Sequence, residues 1–212
     1  MEKVQLCAEE LFFMGKQMRA KYIDYEYVSM MEDLQQQYAL REKEIMAGIV
    51  QKGLMMEDFS GDMELDQDVE TILKPVFFGE FESELLVADL TDEDRSRHMK
   101  YHFYDGQVTQ AAIIDGKLEF SKSGDIGIDE QRAVLLSGEY DCSEAEYPIE
   151  TINKEKITLV VQLKNTQVGK TTAASELVCS DGIWYIGATE NTVRTLSKEA
   201  FTSCFNRIMK GE

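Results

Sequence analysis

Val168-Gly169-Lys170-Thr171-Thr172 has the residue types that close a phosphate-binding loop, a lysine and two hydroxyls behind a glycine. Such a loop also needs a glycine five residues before the Gly-Lys pair, and that place holds Lys164. It needs a helix next, whose N-terminal amides and dipole hold phosphate, whereas the residues through Leu177 and Val178 read as a strand. The pattern is that of a glycine-assisted hairpin turn. Asp58, Asp62, Glu64, Asp66 and Asp68 are oxygen-rich enough to suggest calcium. An EF-hand loop opening at Asp58 requires glycine at its sixth place and meets Met63; one opening at Asp62 requires glutamate at its twelfth and meets Leu73. A turn followed by a helix N-cap accounts for these residues better. His98 and His102, the only histidines, lie four apart on a strand-like stretch. They share a face about 13 Å apart, too far to hold one metal ion, and read as cross-strand polar partners. Cys7, Cys142, Cys179 and Cys204 form no Cys-x-x-Cys pair and have no histidine near in sequence, and no Gly-x-Ser-x-Gly elbow occurs. No catalytic residue, cofactor or metal is expected, and the chain reads as a binding protein rather than an enzyme.

Its 212 residues carry 22 basic and 40 acidic side chains, a formal charge of −18, with 43% hydrophobic residues. That hydrophobic share suits a packed core, and the charge opposes nucleic acid and anionic membranes as partners. The stretch Glu44–Leu65, helix then hairpin, resembles a winged helix, but its helix is mixed in charge and its hairpin acidic, which disfavours DNA. No stretch reaches 18 apolar residues, and the opening residues start no signal-peptide core, so a soluble, cytoplasmic protein without membrane insertion is expected. The acidity is concentrated. Glu57 to Asp94 holds 14 acidic residues and one basic, Lys74, a net −13 in 38 residues. Such a run is ordinarily a solvated face; it also suits an acidic docking surface that steers a partner.

The elements that must position these residues are legible in the spacing. Val4–Leu6 suggests a strand. Cys7, Leu11, Met14 and Met18 form one helical face, and Met31, Leu34, Tyr38, Ile45 and Ile49 place helices across about Tyr25–Lys52. Gly53 sits where a Schellman motif stops a helix. Leu54–Glu57 and Met63–Leu65 read as a small hairpin. Asp66 caps a short helix that Pro75 should end. From Phe77 the period becomes two, with Phe77, Gly79, Phe81, Ser83, Leu85 and Val87 on one side and Glu80, Glu82 and Glu84 on a wet acidic one. Arg97–Tyr104, Gln107–Ile114 and Lys117–Ser121 follow, joined by Asp105-Gly106 and Asp115-Gly116. Asp129 is expected to cap a helix through Leu136. Lys156–Lys164, Thr171–Ser180, Ile183–Gly187 and Thr192–Leu196 repeat the strand plan, and Ser197 caps a last helix with Leu196 and Phe201 as its hydrophobic staple. The expected fold is α+β: an antiparallel sheet built from two pseudo-repeated four-strand meanders, each ending in a helix, behind an N-terminal helical bundle. The expected division is an N-terminal half at 1–138, an acidic connector at 139–155 that shows no clean period, and a C-terminal half at 156–212.

The order Val4-Gln5-Leu6-Cys7-Ala8-Glu9-Glu10-Leu11, then Ala47-Gly-Ile-Val-Gln-Lys-Gly53-Leu54, an acidic turn with Gly61, Asp66-Gln-Asp-Val-Glu-Thr-Ile-Leu-Lys-Pro75 and a long meander resembles the EspG-type secretion-associated proteins of type VII (ESX) systems. The resemblance spans most of the chain as a pattern. It implies a non-enzymatic cytosolic chaperone that holds a helical-hairpin (WXG/PE-PPE-like) secreted protein. It implies partner contacts in a sheet loop and the C-terminal helical region, here Thr91–Ser96, Tyr104–Gln107 and Phe201–Ile208. Asp92, Glu93 and Asp94 would then steer the partner, and Tyr104, Phe201 and Phe205 would anchor it. Met14, Met18, Met30, Met31, Met46, Met55, Met56 and Met63 are first of all core fillers, and also the kind of residue that lines an adaptable groove. The alternative is an acidic immunity protein that neutralises a polymorphic toxin by covering a basic site.

Overall fold

The structure is a computed structural model. It describes residues 2–31, 36–57, 59–60, 62–79, 81–138, 142–167 and 169–211, with the backbone alone for 36–40. Leu34, Asp58, Gly61, Glu80 and Val168 therefore lie outside the described residues, as does the side chain of Tyr38. In chain order the elements are β1 (Lys3–Leu6), α1 (Ala8–Met18), α2 (Tyr25–Ser29), α3 (Gln36–Gln51), β2 (Met55–Glu57), β3 (Met63–Leu65), α4 (Gln67–Phe78), β4 (Phe81–Asp89), β5 (Arg97–Tyr104), β6 (Gln107–Ile114), β7 (Lys117–Lys122), α5 (Gly124–Leu135), β8 (Glu146–Pro148), β9 (Ile157–Gln167), β10 (Lys170–Ser180), β11 (Ile183–Gly187), β12 (Thr192–Thr195) and α6 (Lys198–Met209). The fold is α+β, with antiparallel strand pairing and six α-helices among the described residues.

The chain forms two compact units, Met1–Phe81 with Tyr101–Ser123, and Glu82–Lys100 with Gly124–Glu212. These boundaries differ from a split at 138, because α5 and most of β4 group with the C-terminal strands. In the first unit the strands run β1-β7-β6-β5, the last contributing its second half. α1 and α4 pack beside them over a core of Leu6, Leu11, Met14, Ile49, Ile72, Phe77 and Phe120, all buried. The motif at Gly53 forms as its sequence requires. Gly53 has φ +69°, its N–H donates to the Val50 carbonyl at 2.9 Å, and the Leu54 N–H reaches the Ile49 carbonyl at 3.1 Å, the two bonds of a Schellman stop.

Glu10 is 7% exposed in the first turn of α1, where it accepts from the Cys7 N–H at 3.0 Å and from Lys52 Nζ at 2.7 Å. It thus closes the start of α1 and pins it to the end of α3. Pro75 does not end α4; the helix continues to Phe78. A proline inside a helix costs about 3 kcal/mol. Val76 and Phe77 lie beyond it and are buried, each stabilising the last turn by about 1.5–3 kcal/mol. The Phe77 carbonyl also accepts from the Lys21 N–H at 3.0 Å. Phe77 and Gly79 are consequently helix end and cap, and period-two structure begins at Phe81.

In the second unit the order is β5-β4-β9-β10-β11-β12-β8, β5 giving its first half. Ser83, Leu85 and Val87 are buried, the inward parity read from the sequence. α6 lies on β9 and β10. Two corrections apply here. Helix α5 opens at Gly124, whose φ of +60° turns the chain after Ser123, so Asp129 is an interior residue whose Oδ1 binds Arg132 at 2.9 Å and Lys210 at 3.0 Å. The stretch expected as connector contains strand β8, paired with β12 in register Tyr147↔Val193; three residues are too few to show a period. Glu139 and Asp141 lie outside the described residues.

Candidate functional site

The loop after β4 carries three of the residues singled out by the sequence. Asp89 Oδ1 gathers the Thr91 hydroxyl at 2.6 Å, the Thr91 N–H at 2.9 Å and the Asp92 N–H at 3.0 Å. These bonds, that of the Thr91 hydroxyl first, hold the Asp89 carboxyl below its ordinary range. Asp92 then caps a short 3-10 turn, Glu93–Arg95, accepting from the Asp94 N–H at 3.2 Å and pairing with Arg95 Nε at 3.0 Å. Ser96 Oγ closes the loop by accepting from the Asp89 N–H at 3.0 Å. Asp92, Glu93 and Asp94 thus share one ordered turn of the second unit, with Glu93 and Asp94 exposed and Asp92 partly so.

Leu90 stands in the same loop at 61% exposure. Its N–H is tied to the Thr158 carbonyl at 2.8 Å, so the backbone beneath it is fixed. The reading of the sequence did not single it out. The signal was present: Ser83, Leu85 and Val87 point inward, so Leu86 and Leu90 have the outward parity, and both are exposed.

Tyr104 belongs to the first unit. It is half-buried at the end of β5, its ring 6.1 Å from that of Phe78, and it leads into the turn at Asp105 (φ +49°) and Gly106 (φ +69°). Phe201 and Phe205 are corrected as exposed anchors. Both are 0% exposed, stacked on each other with centroids 6.1 Å apart, and Phe201 meets Trp184 at 4.9 Å. Helical spacing identified the apolar stripe of α6, and the sheet covers that stripe. The helix is held at both ends: the Ala200 N–H donates to Ser197 Oγ at 3.1 Å, Ser83 Oγ donates to the Met209 carbonyl at 2.8 Å, and Asn165 Nδ2 donates to the Ile208 carbonyl at 2.9 Å.

The face of β4 expected to be wet and acidic is more structured than that. Glu84 is 25% exposed, accepts from His98 Nε2 at 2.7 Å and pairs with Lys164 at 3.2 Å. The His98 hydrogen bond, then Lys100 and Lys164, draw its carboxyl down to about 2 against the opposing pull of burial. His102, 4% exposed, instead meets the Tyr27 hydroxyl at 2.8 Å in the first unit. Each histidine therefore has its own polar partner.

Gly169 (φ +72°) lies between β9 and β10, and Lys170 opens β10, so a strand and not a helix follows the Gly-Lys pair. All four cysteines are free thiols; burial pushes that of Cys7 up to about 11. Among the described residues no helix is long and apolar enough to cross a membrane. The arrangement is an ordered acidic loop that also carries one exposed apolar residue, Leu90.

No family model matches the chain, and no curated protein matches it in sequence. Among solved structures, the chain is similar to that of the Mycobacterium tuberculosis type VII secretion system chaperone EspG5 in complex with the PE25–PPE41 dimer, with a TM-score of 0.61 and 10% identity over 99% of this chain and 98% of that one. The resemblance to EspG-type proteins read from the order of elements is therefore a resemblance of fold.

Proposed function

We propose that the protein is a non-catalytic, cytoplasmic chaperone that holds a helical-hairpin secreted protein of the WXG or PE-PPE kind in a type VII-like secretion pathway. The observation that carries this is the fold shared over 99% of the chain with EspG5, itself solved in complex with a PE25–PPE41 dimer. Within that assignment, the Leu90–Asp94 loop is the partner-facing element, Leu90 the apolar anchor and Asp92, Glu93 and Asp94 the steering charges; Tyr104 contributes at its own turn. We read β4 to β7 followed by α5, and β9 to β12 followed by α6, as a pseudo-repeat of one plan, a reading supported by the like order of elements along the chain.

Co-expression with helical-hairpin pairs encoded beside the gene, followed by co-purification, tests the assignment. A stable soluble complex that Leu90→Asp weakens, with the variant's own melting temperature unchanged, is the expected result. Capture of a nuclease-like toxin instead, or soluble complexes indifferent to Leu90, overturns it.

A further inference from the structure

A pocket of about 360 Å³ opens in the first unit, and none of the candidate partner-facing residues lines it. Met18, Met55, Met63, Leu65 and Phe78 form its apolar lining. These residues belong to or pack on the buried core, so the floor is supported from beneath. Glu70, Lys74 and Phe78 recur every four residues along α4, so one wall extends for about 12 Å, two turns of helix. A wall built from side chains one turn apart on α4 suits the ridge of another helix.

The rim has a sign. Glu64, Glu70 and Lys74 line the pocket, and the β2–β3 hairpin that carries Glu64 also bears the exposed Glu57 and Asp62 and no basic residue among those described. Lys74 is held by Glu70 at 3.0 Å, which leaves the hairpin side negative. The α1 side presents Gln17, with the exposed Arg19 following Met18 in sequence. The same hairpin also exposes Met56 at 59% and carries the fully exposed Phe59.

We infer that this groove is a second docking site, for an amphipathic helix whose apolar face lies on the methionines and whose lysine- or arginine-bearing flank lies against the β2–β3 hairpin. Methionine suits the floor because its unbranched, polarisable side chain adapts to differing apolar residues. The acidic rim selects the sign of the flank and speeds encounter. The site does not rest on the chaperone assignment and uses none of its partner-facing residues.

The test uses the full chain with its methionine methyl groups isotopically labelled and three peptides of about 18 residues, long enough to form a helix on contact: an amphipathic Leu/Lys helix, its Leu/Glu counterpart, and a scrambled Leu/Lys sequence of equal charge. Saturable shifts of the Met18, Met55 and Met63 methyl signals with the amphipathic basic peptide are expected, while Met99 and Met209 stay in place. Glu57→Gln combined with Asp62→Asn and Glu64→Gln should weaken binding about tenfold at low salt. Equal binding of the scrambled peptide would mean charge attraction alone and overturn the site. Absence of saturable shifts, or shifts centred on Met99 and Met209, overturns it too. The same shifts on raising protein concentration without peptide would make a second copy the occupant, which also overturns it.

Discussion

Glu84 shows how a single carboxylate links the acidic composition to pH. Its folded-state value near 2 lies below the ordinary 4.5, so the stability it contributes is fully present above the ordinary value. That contribution is lost as pH falls through the folded one. We expect Glu84→Gln to cost about 1–2 kcal/mol at neutral pH. The gap from the parent protein should narrow below pH 4.5 and close near 2, as measured by urea unfolding across that range. A gap that stays constant with pH would remove the His98 hydrogen bond as its cause. The aromatic residues of α6 give a second contrast. Phe205, 0% exposed, should lose about 3–5 kcal/mol of stability on truncation to alanine. Leu90→Ala, at an exposed position, should stay within about 0.5 kcal/mol of the parent while weakening partner binding. Equal losses of stability for the two would contradict the assigned burial.

At the scale of elements, the termini of helices are where local sequence and distant residues meet. The start of α6 is local: Ser197 caps it and Leu196 and Phe201, both buried, staple it. Its end is not. The last carbonyls of a helix need donors, and here Ser83 from β4 and Asn165 from β9 supply them. Asn165 is itself set by Thr172, the residue on the bulged strand β10, whose hydroxyl reaches Asn165 Oδ1 at 2.7 Å. Ser83→Ala should therefore leave the buried Met209 carbonyl without its donor and cost about 1–3 kcal/mol. Gly53→Ala, which forces a side chain into the left-handed region at the end of α3, should cost about 1–2 kcal/mol. Thermal unfolding separates these from neutral changes; a Ser83→Ala protein as stable as its parent would mean that water replaces the hydroxyl.

For the molecule as a whole, a charge of −18 with most of it between Glu57 and Asp94 acts on encounter more than on holding. Exposed charges are screened over about 8–10 Å at physiological salt, whereas a desolvated apolar contact is not. With Asp92, Glu93 and Asp94 changed to Asn, Gln and Asn, stopped-flow association with the co-purified partner should slow by about threefold to tenfold at low salt. Dissociation should barely change. A faster off-rate with an unchanged on-rate would assign these residues to the contact itself.

Most element boundaries were legible because their causes are local. Asp105-Gly106, Asp115-Gly116 and Asp181-Gly182 each take positive φ at both residues, as a two-residue hairpin turn demands, and those pairs are visible in any listing of the chain. The caps at Asp66 and Ser197, the stop at Gly53 and the parity of β4 were readable for the same reason. Failures came where burial outweighed a local rule, as at Pro75, or where an element was too short to show a period, as in β8. Of the candidate surface, the acidic turn at Asp92–Asp94 was visible in composition, and Leu90 was recoverable from parity. The burial of Phe201 and Phe205 was not, because a stripe at helical spacing has the same pattern whether its face meets a partner or the protein's own sheet. By itself the sequence determined which residues turn, cap and alternate, since those depend on neighbours along the chain. Which apolar faces remain open, and which distant side chains close the end of α6, only tertiary packing decided.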